Sequence, residues 1–132
     1  MRLNRFEEIE AWMAARALVN CVYGVIRAND SFRKDFRLVN QIQSAAVSSM
    51  SNIAEGFARQ SNKEFIQFLF IAKSSAAEVQ SQLYVALDQN YITQEAFNEI
   101  YEHAERVSKL TSGFIKYLKT SLNQRKPTNS RL

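Results

Sequence analysis

Glycine and proline are nearly missing from this 132-residue chain, with three of the first and one of the second. A many-stranded sandwich or barrel needs those residues at its turns, so their scarcity points to helices. A single cysteine, Cys21, excludes an internal disulfide and agrees with a reducing compartment. No apolar run approaches the roughly 18 residues of a membrane span. The opening Met1-Arg2-Leu3-Asn4-Arg5-Phe6-Glu7-Glu8 also has no signal-peptide stretch, so a cytoplasmic protein without membrane association is expected.

What is present is helical periodicity, in four segments. Trp12, Ala15, Val19, Val22 and Ile26 recur at spacings of three and four and predict a helix over 6–28. Asn29-Asp30-Ser31 predicts a turn after it, and Asp35 is placed to cap the next helix. A second helix over 36–58 carries Val39, Ile42, Ala46, Met50, Ile53 and Phe57 on one side, with small residues between them that allow close approach. Ser61-Asn62-Lys63-Glu64 has the S-x-x-E capping-box pattern and starts a third helix, over 62–89. Its Phe65, Leu69, Ala72, Ala76, Val79, Leu83 and Ala86 keep a strict heptad-like alternation, the seam of near-parallel bundle packing. Thr93 can cap a fourth helix over 94–122, where Phe97, Ile100, Ala104, Val107, Thr111, Phe114 and Leu118 repeat in the same way.

Connections of a few residues between helices of twenty or more force neighbours to run antiparallel. The expected fold is therefore all-α, an up-down-up-down four-helix bundle over residues 1–122. Residues 123–132, with Pro127 and no apolar period, are expected to form a basic, disordered tail. The first turns of the third helix hold a surplus of apolar groups, Ile66, Phe70 and Ile71 among them, and these are expected at an interface with another chain.

Catalytic and metal chemistry find little support. One histidine, His103, cannot supply the two Glu-x-x-His pairs of a di-iron bundle, and with Cys21 it cannot fill a closed four-ligand zinc site. No G-x-S-x-G elbow exists, and Gly24, Gly56 and Gly113 are too far apart for a phosphate loop. His103 reads as a polar-face residue among Glu99, Glu102 and Glu105, and Cys21 as a packing residue beside Val19 and Val22. No catalytic residue, metal site or cofactor is expected.

Charge is distributed unevenly. From Arg106 onward there are seven basic residues and no acidic one, whereas the rest of the chain holds 10 basic against 13 acidic. On a helix, Arg106, Lys109, Lys116 and Lys119 fall within an arc of about 140° opposite the apolar seam. Arg125, Lys126 and Arg131 continue the series. Such a stripe suits phosphates, bound without sequence preference and with strong salt dependence, although cations near a helix C-terminus also complement the macrodipole.

Gln41-Ile42-Gln43-Ser44-Ala45-Ala46-Val47-Ser48, then Ser51-Asn52-Ile53-Ala54-Glu55-Gly56 and Arg59-x-Ser61, resemble a bacterial family. Glu64-Phe65, Phe68-Leu69-x-Ile71-Ala72 and Glu78-x-Gln80-x-Gln82-Leu83 extend the likeness. The family comprises four-helix-bundle proteins encoded in intervening sequences of 23S ribosomal RNA genes, and the resemblance covers about residues 6 to 120. It implies a homo-oligomeric ring, a pentamer, with an association with nucleic acid or ribosomes and no enzymatic activity. The chain is also distantly similar to the accessory variability determinant of diversity-generating retroelements. Where many relatives carry arginines it has Gln43 and Ser44, and Met50 replaces a proline, which moves any phosphate binding towards the fourth helix. Gly56 is expected to relieve crowding or end the second helix, and Asn52 and Glu55 to bond between helices. Two readings follow: a ring-forming bundle that binds RNA or DNA, or an oligomeric protein adaptor using Ile66, Phe70 and Ile71.

Overall fold

The computed structural model describes residues 3–124. A short 3-10 turn at Phe6–Glu8 precedes α1 (Glu10–Arg27), α2 (Asp30–Lys34), α3 (Phe36–Phe57), α4 (Asn62–Asp88) and α5 (Gln94–Gln124). No strand occurs among the described residues. α5 extends two residues past the expected boundary, and the rest of the expected tail, with Arg125, Lys126 and Arg131, lies outside the described residues.

Three of the four long helices start on a side-chain cap. Asp35 Oδ1 accepts from the Leu38 N–H at 3.1 Å, Ser61 Oγ from the Glu64 N–H at 3.3 Å, and Thr93 Oγ1 from the Ala96 N–H at 3.1 Å. Each such cap stabilises its helix by about 1 kcal/mol. α4 ends on Asn90, whose φ of 63° is left-handed. There the Tyr91 N–H reaches the Ala86 carbonyl and the Asn90 N–H the Leu87 carbonyl, the paired bonds of a Schellman motif.

The expected turn at 29–31 is instead the start of α2. Side chains that compete with a helix interior are also the ones that cap helices, and Asn29 Oδ1 accepts from the Phe32 N–H at 2.8 Å. α2 buries Phe32 completely and stacks it on Tyr91, with ring centroids 5.1 Å apart. The Tyr91 hydroxyl donates to Asp35 Oδ2 at 2.9 Å, tying the α2–α3 junction to the α4–α5 turn across one end of the bundle.

Side-chain contacts fix the helix directions. Phe65 meets Phe114 while Tyr84 meets Phe97, so α4 and α5 are antiparallel. Gly56 lies against Phe65 and Phe68 while Ser48 meets Ser75, so α3 and α4 are antiparallel too. Cys21 lies by Glu99 and His103, and Leu3 to Ala11 flank Lys109 to Tyr117, which turns α1 against α5. α1 also packs on α3, which closes the square as up-down-up-down.

The α4 seam from Phe65 to Ala86 is wholly buried at all seven positions. On α5, Phe97, Ile100, Ala104, Val107, Thr111 and Leu118 are buried, with Ile115 sharing the position expected of Phe114. α1 turns slightly, so that Leu18 is fully buried and Val19 only partly. Gly56 relieves crowding, because a Cβ there would come within 2.7 Å of the Phe65 ring and 2.8 Å of Phe68 Cβ. The helix ends one residue later, at Phe57.

Three expectations are corrected. Ile66 is only 8% exposed and packs into the chain's own core, not on the outward apolar face of α4, because α4 starts deep between its neighbours. Asn52 bonds within α3, to the Ser48 carbonyl and hydroxyl at 2.9 Å each, and it is Ser48 that receives the inter-helix bond from Ser75. Glu55 faces Arg59 one turn on, at 3.8 Å, and both are exposed.

Candidate functional site

Arg106, Lys109, Lys116 and Lys119 all lie towards solvent on α5, as the helical arc requires. Their surroundings differ. Arg106 and Lys109 line a groove with Glu99, Glu102, His103, Glu105 and Leu110, so carboxylates accompany the upper half of the stripe. Lys109 also borders a second groove, of about 330 Å³, between α5 and α1. Its walls are Leu3, Ile9, Ala11, Leu110, Gly113, Phe114 and Tyr117, with Glu8 and Glu10.

Lys116 and Lys119 line a third groove, between α5 and α4, with Phe70, Lys73, Ser112, Ile115 and Thr120. Of these three grooves only this one has no carboxylate in its walls. Lys119 Nζ lies 5.2 Å from the centroid of the Phe70 ring, a cation–π contact, and Phe70 remains 45% exposed. Ser112 and Thr120 add hydroxyls, and the Thr120 Oγ1 donates to the Lys116 carbonyl at 3.0 Å. Three lysines thus line one groove with a partly exposed aromatic ring, which suits a phosphate chain with a base stacked beside it.

The structure thus divides the residues singled out in the sequence. Phe70, expected at a protein interface, joins the lower basic pair; Ile71 is exposed at 47% beside it; Ile66 is withdrawn into the core. Sequence reasoning misses Lys73, which sits among small residues on α4 and is brought across to Lys116 only by the antiparallel packing. Near the α3–α4 turn, the Arg59 guanidinium covers the Phe68 ring at 4.5 Å and hides part of the apolar surplus.

It misses a second gathering as well. Cys21 on α1 and Glu99 and His103 on α5 place their sulfur, carboxylate and imidazole atoms within 4.8 Å of one another. Burial, followed by the nearby Glu99 charge, pushes the Cys21 thiol above its ordinary pKa. Cys21 and His103 are far apart in sequence, on the first and last long helices, and no spacing rule connects them.

A model of the family described as 23S rRNA-intervening sequence protein matches residues 7–113. No curated protein matches the chain. Among solved structures, the chain is similar to a protein of unknown function from the S23 ribosomal protein family of Bacteroides thetaiotaomicron VPI-5482. The TM-score is 0.67 and the identity 28%, over 80% of this chain and 94% of that one. Neither comparison shows the likeness to the retroelement determinant. The family match ends before Lys116 and Lys119, so it does not include the two α5 lysines of the basic groove.

Proposed function

This chain belongs to the 23S rRNA-intervening sequence protein family, and on that premise we propose that it is a non-enzymatic, homo-oligomeric, cytoplasmic bundle that binds RNA or DNA through phosphates. One observation carries the reading: the α4–α5 groove sets Lys73, Lys116 and Lys119 around the exposed Phe70 with no carboxylate in its walls. Three ammonium groups that pair with phosphates expel counterions, which makes binding favourable and salt-sensitive. Phe70 supplies the stacking platform that favours single strands. Arg106 and Lys109 attract at longer range, their field reduced by Glu102 and Glu105. The family's name, from an intervening sequence in ribosomal RNA, and the solved relative's S23 ribosomal protein family agree with a nucleic-acid partner.

Self-association draws support from the outward face of α4 next to the groove, where Ile71, Ala77, Tyr84 and Val85 lie towards solvent along one side. A ring would repeat the groove once per subunit and raise a modest single-site affinity by multivalency. The same face favours the second reading, an oligomeric protein adaptor without a nucleic-acid role. Fluorescence anisotropy with single-stranded RNA and DNA, titrated at low and moderate salt, separates the two. The first reading expects binding that weakens steeply with salt, and unmeasurable binding at low salt leaves only the adaptor. Light scattering on the same sample tests the oligomer, which a strict monomer would overturn.

A further inference from the structure

The chain contains one cysteine and one histidine, and the fold brings them together. Cys21 is held by α1 between the fully buried Leu18 and Val22, and His103 by α5 between the buried Ile100 and Ala104, so both backbones are pinned by the core. Glu99 stands one turn before His103, at the i, i+4 spacing that stacks two side chains on one helix face. Cys21 and His103 are half-buried and Glu99 is exposed. Two ligand atoms on a tetrahedral ion with bonds of roughly 2.0–2.3 Å sit about 3.3–3.8 Å apart. The observed span of no more than 4.8 Å is therefore within about 1–1.5 Å of that geometry.

We propose that Cys21, Glu99 and His103 form an open three-ligand site for a divalent transition-metal ion of the zinc and cobalt class, with solvent in the fourth position. The donor set chooses the ion. Thiolate and imidazole favour borderline-soft metals, whereas magnesium and calcium need oxygen ligands throughout. Binding replaces the Sγ–H bond with an Sγ–metal bond and releases one proton to solvent. A neutral thiol is what burial favours in the metal-free protein, and the positive ion reverses that preference by taking the thiolate directly. Glu102 and Glu105 line the same groove and raise the local concentration of cations. Bound metal would clamp α1 to α5, on the side of the bundle away from the Phe70 groove.

The test uses the full-length chain without a histidine tag, titrated with Co2+. Because the chain has one cysteine and one histidine, a thiolate-to-cobalt charge-transfer band with strong visible bands can arise from this cluster alone. The expected result is saturation at one equivalent, displacement of cobalt by Zn2+, and no displacement by excess Mg2+. C21S should abolish the charge-transfer band. H103A and E99Q, at positions that keep the core intact, should weaken binding on the order of tenfold or more, while their helical circular dichroism stays native. Zn2+ should also raise the melting temperature of the parent protein, and not that of H103A. Absence of the charge-transfer band, or equal cobalt affinity in the parent protein, H103A and E99Q, overturns the site.

Discussion

α5 is flanked by two grooves of equal size, about 330 Å³ each, that differ in what the partner helix contributes. On the α1 side the walls are apolar, with Glu8 and Glu10 beside Lys109; on the α4 side they hold Phe70 and three lysines. Past Glu105 every charged residue of α5 is basic, so α5 alone does not decide where a polyanion would lie. The partner decides it: the α1 side brings carboxylates that oppose phosphate, and α4 brings Lys73 and an aromatic ring. A charge stripe on one helix becomes directional only after the bundle has chosen its neighbours.

Charge reversal breaks this comparison most directly. K116E with K119E should weaken single-stranded RNA binding on the order of a hundredfold at low salt, and should reduce the slope of log affinity against log salt by roughly two. The same reversal at Arg106 and Lys109 changes net charge equally but acts beside existing carboxylates, so a loss below about fivefold is expected. Equal losses in the two double variants would mean that overall charge, and not the α4 groove, governs binding.

Backbone spacing sharpens it next. Gly56→Ala pushes a methyl group into Phe65 and Phe68, the residues that hold the start of α4 against α3. Overpacking of this kind costs about 1–3 kcal/mol, read as a lower midpoint in urea denaturation. Because α4 must shift while α1 need not, RNA affinity should fall as well. Stability unchanged within error would remove the crowding argument.

The framework is legible in the sequence because periodicity and capping are local: Asp35, Ser61 and Thr93 cap the predicted helices, and the Phe65-to-Ala86 seam is buried at every position. What stays hidden lies mostly in properties that need a neighbour. Ile66 and Phe70 have the same hydrophobicity signal, yet the rotation of α4 buries one and exposes the other. Lys73 gains a reason only from Lys116 on the facing helix, and Cys21 only from Glu99 and His103. Asn29-Asp30-Ser31 reads as a turn because cap residues and turn residues are the same residues. Phe32 is the signal that could reveal α2, a large apolar side chain directly after a cap, too isolated to show a period.

Phe70→Ala is a milder test of the α4 groove. It removes the ring that Lys119 covers and one stacking platform, without changing charge. A loss of about 1 kcal/mol, roughly fivefold in affinity, is expected for single strands, with an unchanged salt slope. Duplex RNA, whose bases are already stacked, should be affected much less. If single strands and duplexes lose affinity equally, Phe70 acts by holding Lys119 in place and not by stacking.

The smallest expected effect lies on the opposite side of α5, in the metal-free protein. The Cys21 thiol is raised above its ordinary value of 9.0, first by burial and then by the Glu99 charge. The folded chain therefore holds this proton more tightly than the unfolded chain. The stability that results is fully present below the ordinary thiol pKa and is lost as pH rises through the higher folded value. Tyr91, raised by its hydrogen bond to Asp35, adds a second loss at still higher pH. Thermal melts of the parent protein should thus decline on the alkaline side, and Cys21→Ala should flatten the first part of that decline while leaving the part due to Tyr91. RNA binding at neutral pH should not respond to Cys21→Ala, because α1 contributes nothing to the Phe70 groove. If it does respond, the two sides of α5 are coupled, and the partner-by-partner account of its surface fails.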